Sequence, residues 1–326
     1  MSQFEGGLGE IIGDPVALVA EDGYPLAAHA WRLDGASARA ACRGVVVINP
    51  ATAVKASYYH RYACFLAGEG FRVLTYDYRG IGASRQGSLR DRRDITKTDW
   101  GRFDCEAALA WSIQQHTELP LYVVAHSIGG MTIGLAPSNR HVVRCLTVGA
   151  QFAYWPDYAS ASRLSMWLRW HLTMPVMTAV LGYFPAKAMG WHEDLPAGAA
   201  YEWAFRGKRL GMARGAPSEA LNNFGGMTGE ILAIDISDDP FGTPEAVNRL
   251  LAYFENSRRY RQTITPASAG EASIGHFAYF HEKFRDTLWR DSVRWLRDGQ
   301  VAQRSLEIFS SKSHALNEES SCRFNT

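Results

Sequence analysis

Short apolar runs recur along the chain, separated by stretches with helical spacing. Residues 45–48, 72–76, 121–125, 145–148 and 231–236 are nearly continuous apolar runs, the pattern of strands buried on both faces. Residues 263–265 read as a last strand. Ahead of these, 16–19 and 26–31 flank Glu21-Asp22-Gly23, which predicts a hairpin turn. Residues 57–67 have helical spacing and are closed by Gly68 and Gly70. Thr98 or Asp99 is expected to cap a helix running to Gln114, with Phe103, Ala107, Ala110 and Trp111 on its apolar face. A polar loop fills 82–97. A closing helix is expected over 282–297, with Phe284, Leu288, Val293 and Leu296 inward. This alternation predicts an α/β fold, with a mainly parallel sheet of about eight strands and helices on both faces.

The alternation stops between Val148 and Ile231. Residues 152–215 are helical in tone but broken by Pro175, Pro185 and Pro196. The expected organisation is a core in two parts, 1–150 and 228–300, around a helical insertion at 151–227. A Ser-rich polar tail at 301–326 is expected to be disordered. Five of the ten Trp fall in the insertion, at 155, 167, 170, 191 and 203.

Composition narrows the possibilities. With 47% hydrophobic and 21% charged residues, the 326-residue chain is neither a disordered nor a coiled-coil sequence. Its net charge of +1 gives no field for nucleic acid. The five Cys are odd in number and lack C-x-x-C spacing, so a reduced cytoplasmic protein without a thiolate metal site is expected. The first ten residues show no basic region followed by an apolar run, so no signal peptide is expected. Residues 164–190 are the best membrane candidate, but Arg169, His171, Pro175 and Lys187 interrupt them, and no transmembrane segment is predicted.

The chemical signal is Val123-Val124-Ala125-His126-Ser127-Ile128-Gly129-Gly130. An apolar strand ends at Ala125, a tight turn holds Ser127, and a helix is expected over 130–135. That context suits a nucleophilic serine exposed at the carboxyl edge of the sheet, with small residues needed two positions before and after it. Here these are Ala125 and Gly129. A serine needs a base, and the base needs an orienting group. Asp238 and Asp239 follow the apolar run 231–236, and His276 lies in the loop before the closing helix. Ser127, Asp239 and His276 therefore stand in a fitting order, with Asp238 as the alternative acid. His126, Asp77 and Arg79 read as structural. His60, His141, His171, His192 and His281 have no companions at metal-ligand spacing.

The sequence resembles the α/β-hydrolase superfamily, most closely uncharacterised bacterial serine-aminopeptidase-like and lysophospholipase-like hydrolases. The stretch Asp77-Tyr78-Arg79-Gly80-Ile81-Gly82-Ala83-Ser84 matches D-x-R-G-x-G-x-S, and Gly275-His276-Phe277 matches the histidine loop. The resemblance covers roughly 15–150 and 228–300. It implies that Ser127, Asp239 and His276 are the catalytic triad. It also implies an oxyanion hole from the backbone N–H of Ile128 and of Ala51, or else Thr52, since Ile48-Asn49-Pro50-Ala51-Thr52 replaces the family's His-Gly-x. Residues 151–227 would be a cap. The expected function is a cytoplasmic serine hydrolase that cleaves esters of an apolar acyl or aromatic group, needing no metal or organic cofactor. Acyl transfer through the same triad, and a non-catalytic binding module, are the alternatives. The exposed part of an aromatic cap is a candidate homodimer face.

Overall fold

The computed structural model describes residues 10–35, 42–210, 221–302 and 306–309. Eight strands and a short edge strand form one sheet. They are β1 (Ile11–Val19), β2 (Pro25–Leu33), β3 (Val45–Asn49), β4 (Arg72–Tyr76), β5 (Leu121–His126) and β6 (Val142–Val148), then β9 (Glu230–Ile236), β10 (Arg259–Ile264) and β11 (Leu306–Ile308). The spatial order is β1-β2-β4-β3-β5-β6-β9-β10-β11. The six strands from β4 to β10 run parallel, while β1, β2 and β11 are antiparallel edges.

The apolar runs are continuous because both faces are covered. Val45 and Val47 point into one core with Val123 and Ala125; Val46 and Ile48 point into the other with Val124. The first core also holds Leu109 of α2 (Glu106–Gln115), Ile133 of α3 (Gly129–Leu135) and Leu250 of α7 (Pro244–Leu251). The second holds Phe65 of α1 (His60–Gly68) and Trp295 of α8 (Leu288–Asp298). Strand periodicity of two thus divides each run between two helical layers.

The insertion between β6 and β9 contains α4 (Ser160–Leu168), a π turn at Arg169–Thr173, α5 (Met174–Leu181), a hairpin of β7 (Tyr183–Phe184) with β8 (Leu195–Pro196), and α6 (Ala197–Ala204). Met166, Trp170, Met174 and Thr178, four residues apart, are its buried face. Among the described residues no helix is long and apolar enough to cross a membrane.

Several elements differ from the sequence reading, among them the closing helix, which starts at Leu288 and not at 282. The helix expected from Thr98 or Asp99 starts two or three residues earlier. Thr96 caps it and shares a capping box with Asp99, and a π turn at Trp100–Cys105 leads into α2. The last parallel strand, RYRQTI, is longer than 263–265. Its charges concealed it, because Arg261 pairs with Asp235 at 3.0 Å on β9 and with Glu307 on β11. That second partner lies in the expected tail, where Leu306–Ile308 adds an edge strand to β10. Positions 303–305 and 310–326 of the tail lie outside the described residues.

Candidate active site

The carboxyl ends of β3, β5, β6 and β9 converge, and each delivers one part of the site. After β5 the chain turns so tightly that Ser127 adopts φ 53°, a left-handed conformation unusual for a residue with a Cβ. Its N–H donates to the Val148 carbonyl at 3.0 Å. Space then forces the small residues. A Cβ on Gly129 would lie 2.6 Å from the Asn49 carbonyl oxygen, and one on Gly130 would lie 2.5 Å from the Ala150 Cβ.

After β9, buried Asp239 faces the loop that carries His276. Asp239 Oδ2 and His276 Nδ1 are 2.7 Å apart, and Asp239 Oδ1 accepts the Phe241 N–H at 2.8 Å. Burial alone would raise the Asp239 pKa. The nearby His276, its hydrogen bond and the amides of Gly242 and Phe241 outweigh that, and hold the carboxyl below its ordinary value. Gly149, at φ +56°, lets the chain after β6 pass close to this pair; a Cβ there would lie 2.9 Å from Asp239 Oδ2. Asp238 does a different job. Its oxygens accept the N–H groups of Ile274 (2.9 Å) and Gly275 (3.0 Å), fixing the backbone just ahead of His276.

Ser127 and His276 line one cavity of about 200 Å³, together with Ala51, Thr52, Gln151, Trp191, Trp203, Phe241 and Phe277. No hydrogen bond joins Ser127 to His276 among the described contacts, and in ligand-free sites such bonds are often long.

The loop after β3 departs from expectation at Ala51. Its N–H is engaged by the Tyr59 hydroxyl at 2.9 Å, deep in the protein. Tyr59 Oη is also 2.7 Å from His126 Nδ1, and His126 Nε2 is 2.8 Å from the His276 carbonyl. The proton positions follow from the end groups. A carbonyl only accepts, so His126 Nε2 carries hydrogen; Nδ1 then accepts from Tyr59, whose oxygen accepts from Ala51. Burial, and then the neighbouring His276, lower the His126 pKa to about 3, which keeps the ring neutral. The next amide, that of Thr52, has no such partner among the described hydrogen bonds, and Ala53 beside it takes φ 62°. Thr52 rather than Ala51 is therefore the amide at this edge of the cavity without a partner among the described hydrogen bonds. Asn49, in the place of the family's histidine, is fully buried. It donates to the Gly129 carbonyl at 3.3 Å and accepts from the Tyr76 hydroxyl at 2.9 Å.

Asp77 and Arg79 hold structure. Asp77 accepts the N–H groups of Ala56 (2.7 Å) and Ala83 (2.8 Å). Arg79 bridges Asp104 at 2.7 Å and Asp22 at 2.6 Å. Cys42, Cys64, Cys105 and Cys145 are free thiols. Among the described residues no group of three or more His, Cys, Asp or Glu side chains is placed to hold a metal. Sequence reading missed Tyr59 and Gln151. Tyr59 looks like any core residue at a helix start, and nothing local marks its hydroxyl as a bridge.

Comparisons with known proteins agree with this architecture. Residues 40–190 match the family described as serine aminopeptidase, S33. No curated protein matches by sequence. Among solved structures, an esterase from Exiguobacterium antarcticum is 15% identical with a TM-score of 0.55, covering 87% of this chain and 100% of its own. An esterase from Pyrococcus furiosus is 15% identical with a TM-score of 0.53, over 88% of this chain and 91% of its own. Brefeldin A esterase, described as a bacterial homologue of human hormone sensitive lipase, is also 15% identical, with a TM-score of 0.53 over 91% and 80%. The chain has the α/β-hydrolase fold.

Proposed function

We propose that the protein is a serine hydrolase that cleaves a carboxylic ester through an acyl-enzyme on Ser127. The observation that carries this reading is the shared cavity: a strained Ser127 opens onto the space reached by His276, whose far nitrogen is held by a buried, low-pKa Asp239. His276 takes the hydroxyl proton as Ser127 Oγ attacks the carbonyl carbon. The N–H groups of Ile128 and Thr52 receive the oxyanion, each contributing about 3 kcal/mol to the transition state in a well-formed site. His276 then protonates the leaving alcohol, and afterwards activates the water that releases the acid. Asp239 keeps the proton on Nδ1 and stabilises the imidazolium. The Ala51–Tyr59–His126 chain acts at one remove. It ties the loop after β3 to the backbone of His276, so both sides of the reacting carbonyl are positioned from one buried ring.

The insertion serves as the cap. Trp191 and Trp203 supply apolar walls, which suit an apolar or aromatic acyl group. A fluorophosphonate probe and a chain-length panel of p-nitrophenyl esters test the reading. The wild type should be labelled on Ser127. Ser127→Ala should lose the label and roughly a thousandfold or more in kcat. A folded Ser127→Ala protein with unchanged turnover would remove Ser127 from the mechanism.

A further inference from the structure

Behind the Trp203 wall the cap buries hydrogen-bonding groups that nothing among the described residues satisfies. Within residues 151–206, six buried polar atoms have no hydrogen-bond partner among the described residues: Gln151 Oε1, Tyr158 Oη, Trp170 Nε1, Trp203 Nε1, and Nε and Nη2 of Arg206. They belong to one packed group. The Trp170 and Trp203 rings are 5.4 Å apart, Tyr158 meets Trp170 edge-on at 5.0 Å, and the Arg206 guanidinium lies 5.2 Å from the Phe152 ring. Buried polar groups are nearly always paired, so a cluster of unpaired ones calls for a cause.

Charge gives the cause a sign. Lys97 is 1% exposed, and its ammonium sits 3.4 Å from the Trp203 ring centre. Arg206 is 5% exposed. Beside these two basic side chains stands one carboxylate among the described residues, Glu202, whose oxygens already accept the Thr98 N–H (2.9 Å) and hydroxyl (3.0 Å). Arg206 Nη2 is 3.8 Å from Glu202 Oε1, beyond hydrogen-bond length. Burial first, and then Arg206, push the Lys97 pKa well down. Five of the six unpaired atoms can donate. Two of them, Nε and Nη2, lie on one edge of a guanidinium, the spacing that receives both oxygens of a carboxylate. Gln151 and Trp203 also line the Ser127 cavity, so the cluster begins where that cavity ends.

We propose that this cluster, centred on Arg206 with Tyr158, Trp170 and Trp203, binds a carboxylate at the far end of the substrate's acyl chain, reached from the Ser127 cavity past Gln151 and Trp203. The substrate class would be half-esters of dicarboxylic acids, an apolar stem between two acyl ends. This rests on the serine-hydrolase reading for its chemistry but not for its binding.

The test uses the full chain. Methyl half-esters of succinic, glutaric, adipic and suberic acids are compared with neutral methyl esters of matching length. At one chain length or more, the half-ester should have a kcat/KM at least about tenfold higher, the scale of one charge-assisted hydrogen bond, mainly through KM. In Arg206→Met that ratio should fall to near one. If Arg206→Met does not fold, Tyr158→Phe, which removes one oxygen, should lower the ratio several-fold. Binding is read separately by melting temperature in Ser127→Ala: adipate or glutarate should raise it, and should not in Arg206→Met. No half-ester preference at any length, a preference that survives both variants, or stabilisation by inorganic phosphate in place of dicarboxylates overturns the subsite. Ester turnover that survives Ser127→Ala overturns the serine mechanism instead.

Discussion

At the scale of single residues, adjacent carboxylates divide two jobs by geometry. Asp239 touches the His276 ring, whereas Asp238 holds the backbone of its loop. Asp239→Asn should cost roughly a thousandfold or more in kcat, because the amide cannot stabilise the imidazolium. Asp238→Asn keeps one acceptor oxygen and should cost less than about tenfold, since backbone positioning is shared with the His126 bond. Steady-state kinetics on one p-nitrophenyl ester separates them; equal losses would exchange the roles. His126 makes a second prediction, in stability. Its pKa is about 3 folded against 6.5 unfolded, so as pH falls the unfolded chain takes up the proton first. The stability is complete above about pH 6.5 and is lost progressively toward pH 3. His60, lowered by burial to about 4, adds the same sign. Denaturant melts between pH 6.5 and 4.5, above the range of Asp239, therefore carry a destabilising contribution from both rings as pH falls, against an opposite one from buried Asp104, whose pKa burial raises to about 7. In His126→Gln the slope should be shallower by about 1.4 kcal/mol per pH unit. A slope unchanged by the substitution would mean that the ring is not held neutral.

At the scale of elements, the turn around Ser127 is set by contact between α3 and the end of β3. Gly129→Ala shows which effect wins. Ala is favoured over Gly within a helix by about 1 kcal/mol. The new Cβ, however, would meet the Asn49 carbonyl at 2.6 Å and Asn49 Cβ at 2.9 Å, and backbone cannot swing aside as a side-chain tip can. A net loss of about 2–3 kcal/mol is expected, read as a lower urea midpoint. A neutral or stabilised variant would refute the close approach. Elements also mark the limit of pattern reading. The strands β3, β5, β6 and β9 are legible because two-sided burial makes most of their residues apolar. Only the end of β10 is legible, because Arg261 is paired only when Asp235 and Glu307 arrive from other strands. The cap of the helix leading to α2 was misplaced for a local reason. Thr96, Thr98 and Asp99 are all acceptable caps, and the reciprocal pair Thr96–Asp99 decides between them.

Across the whole molecule, Arg79 joins parts far apart in sequence. It reaches Asp22 in the β1–β2 turn and Asp104 ahead of α2, while its own backbone lies in the loop after β4. Arg79→Met should cost about 3–5 kcal/mol, because Asp104 is left buried without its partner. A change under about 1 kcal/mol in the urea-derived stability would show that the ions are dispensable. The division between sequence and structure follows the same lines. By itself the sequence determined the α/β alternation, the position of the insertion, and the order of Ser127, Asp239 and His276, because these depend on local burial periodicity and on turn chemistry along the chain. Tertiary structure alone decided which aspartate faces the imidazole and that the Ala51 amide is engaged by Tyr59. It also decided that Lys97 and Arg206 end up together behind Trp203. Those outcomes depend on distances between residues that are remote in sequence, where a shift of one residue or a few ångströms changes the partner, and no periodicity encodes such distances.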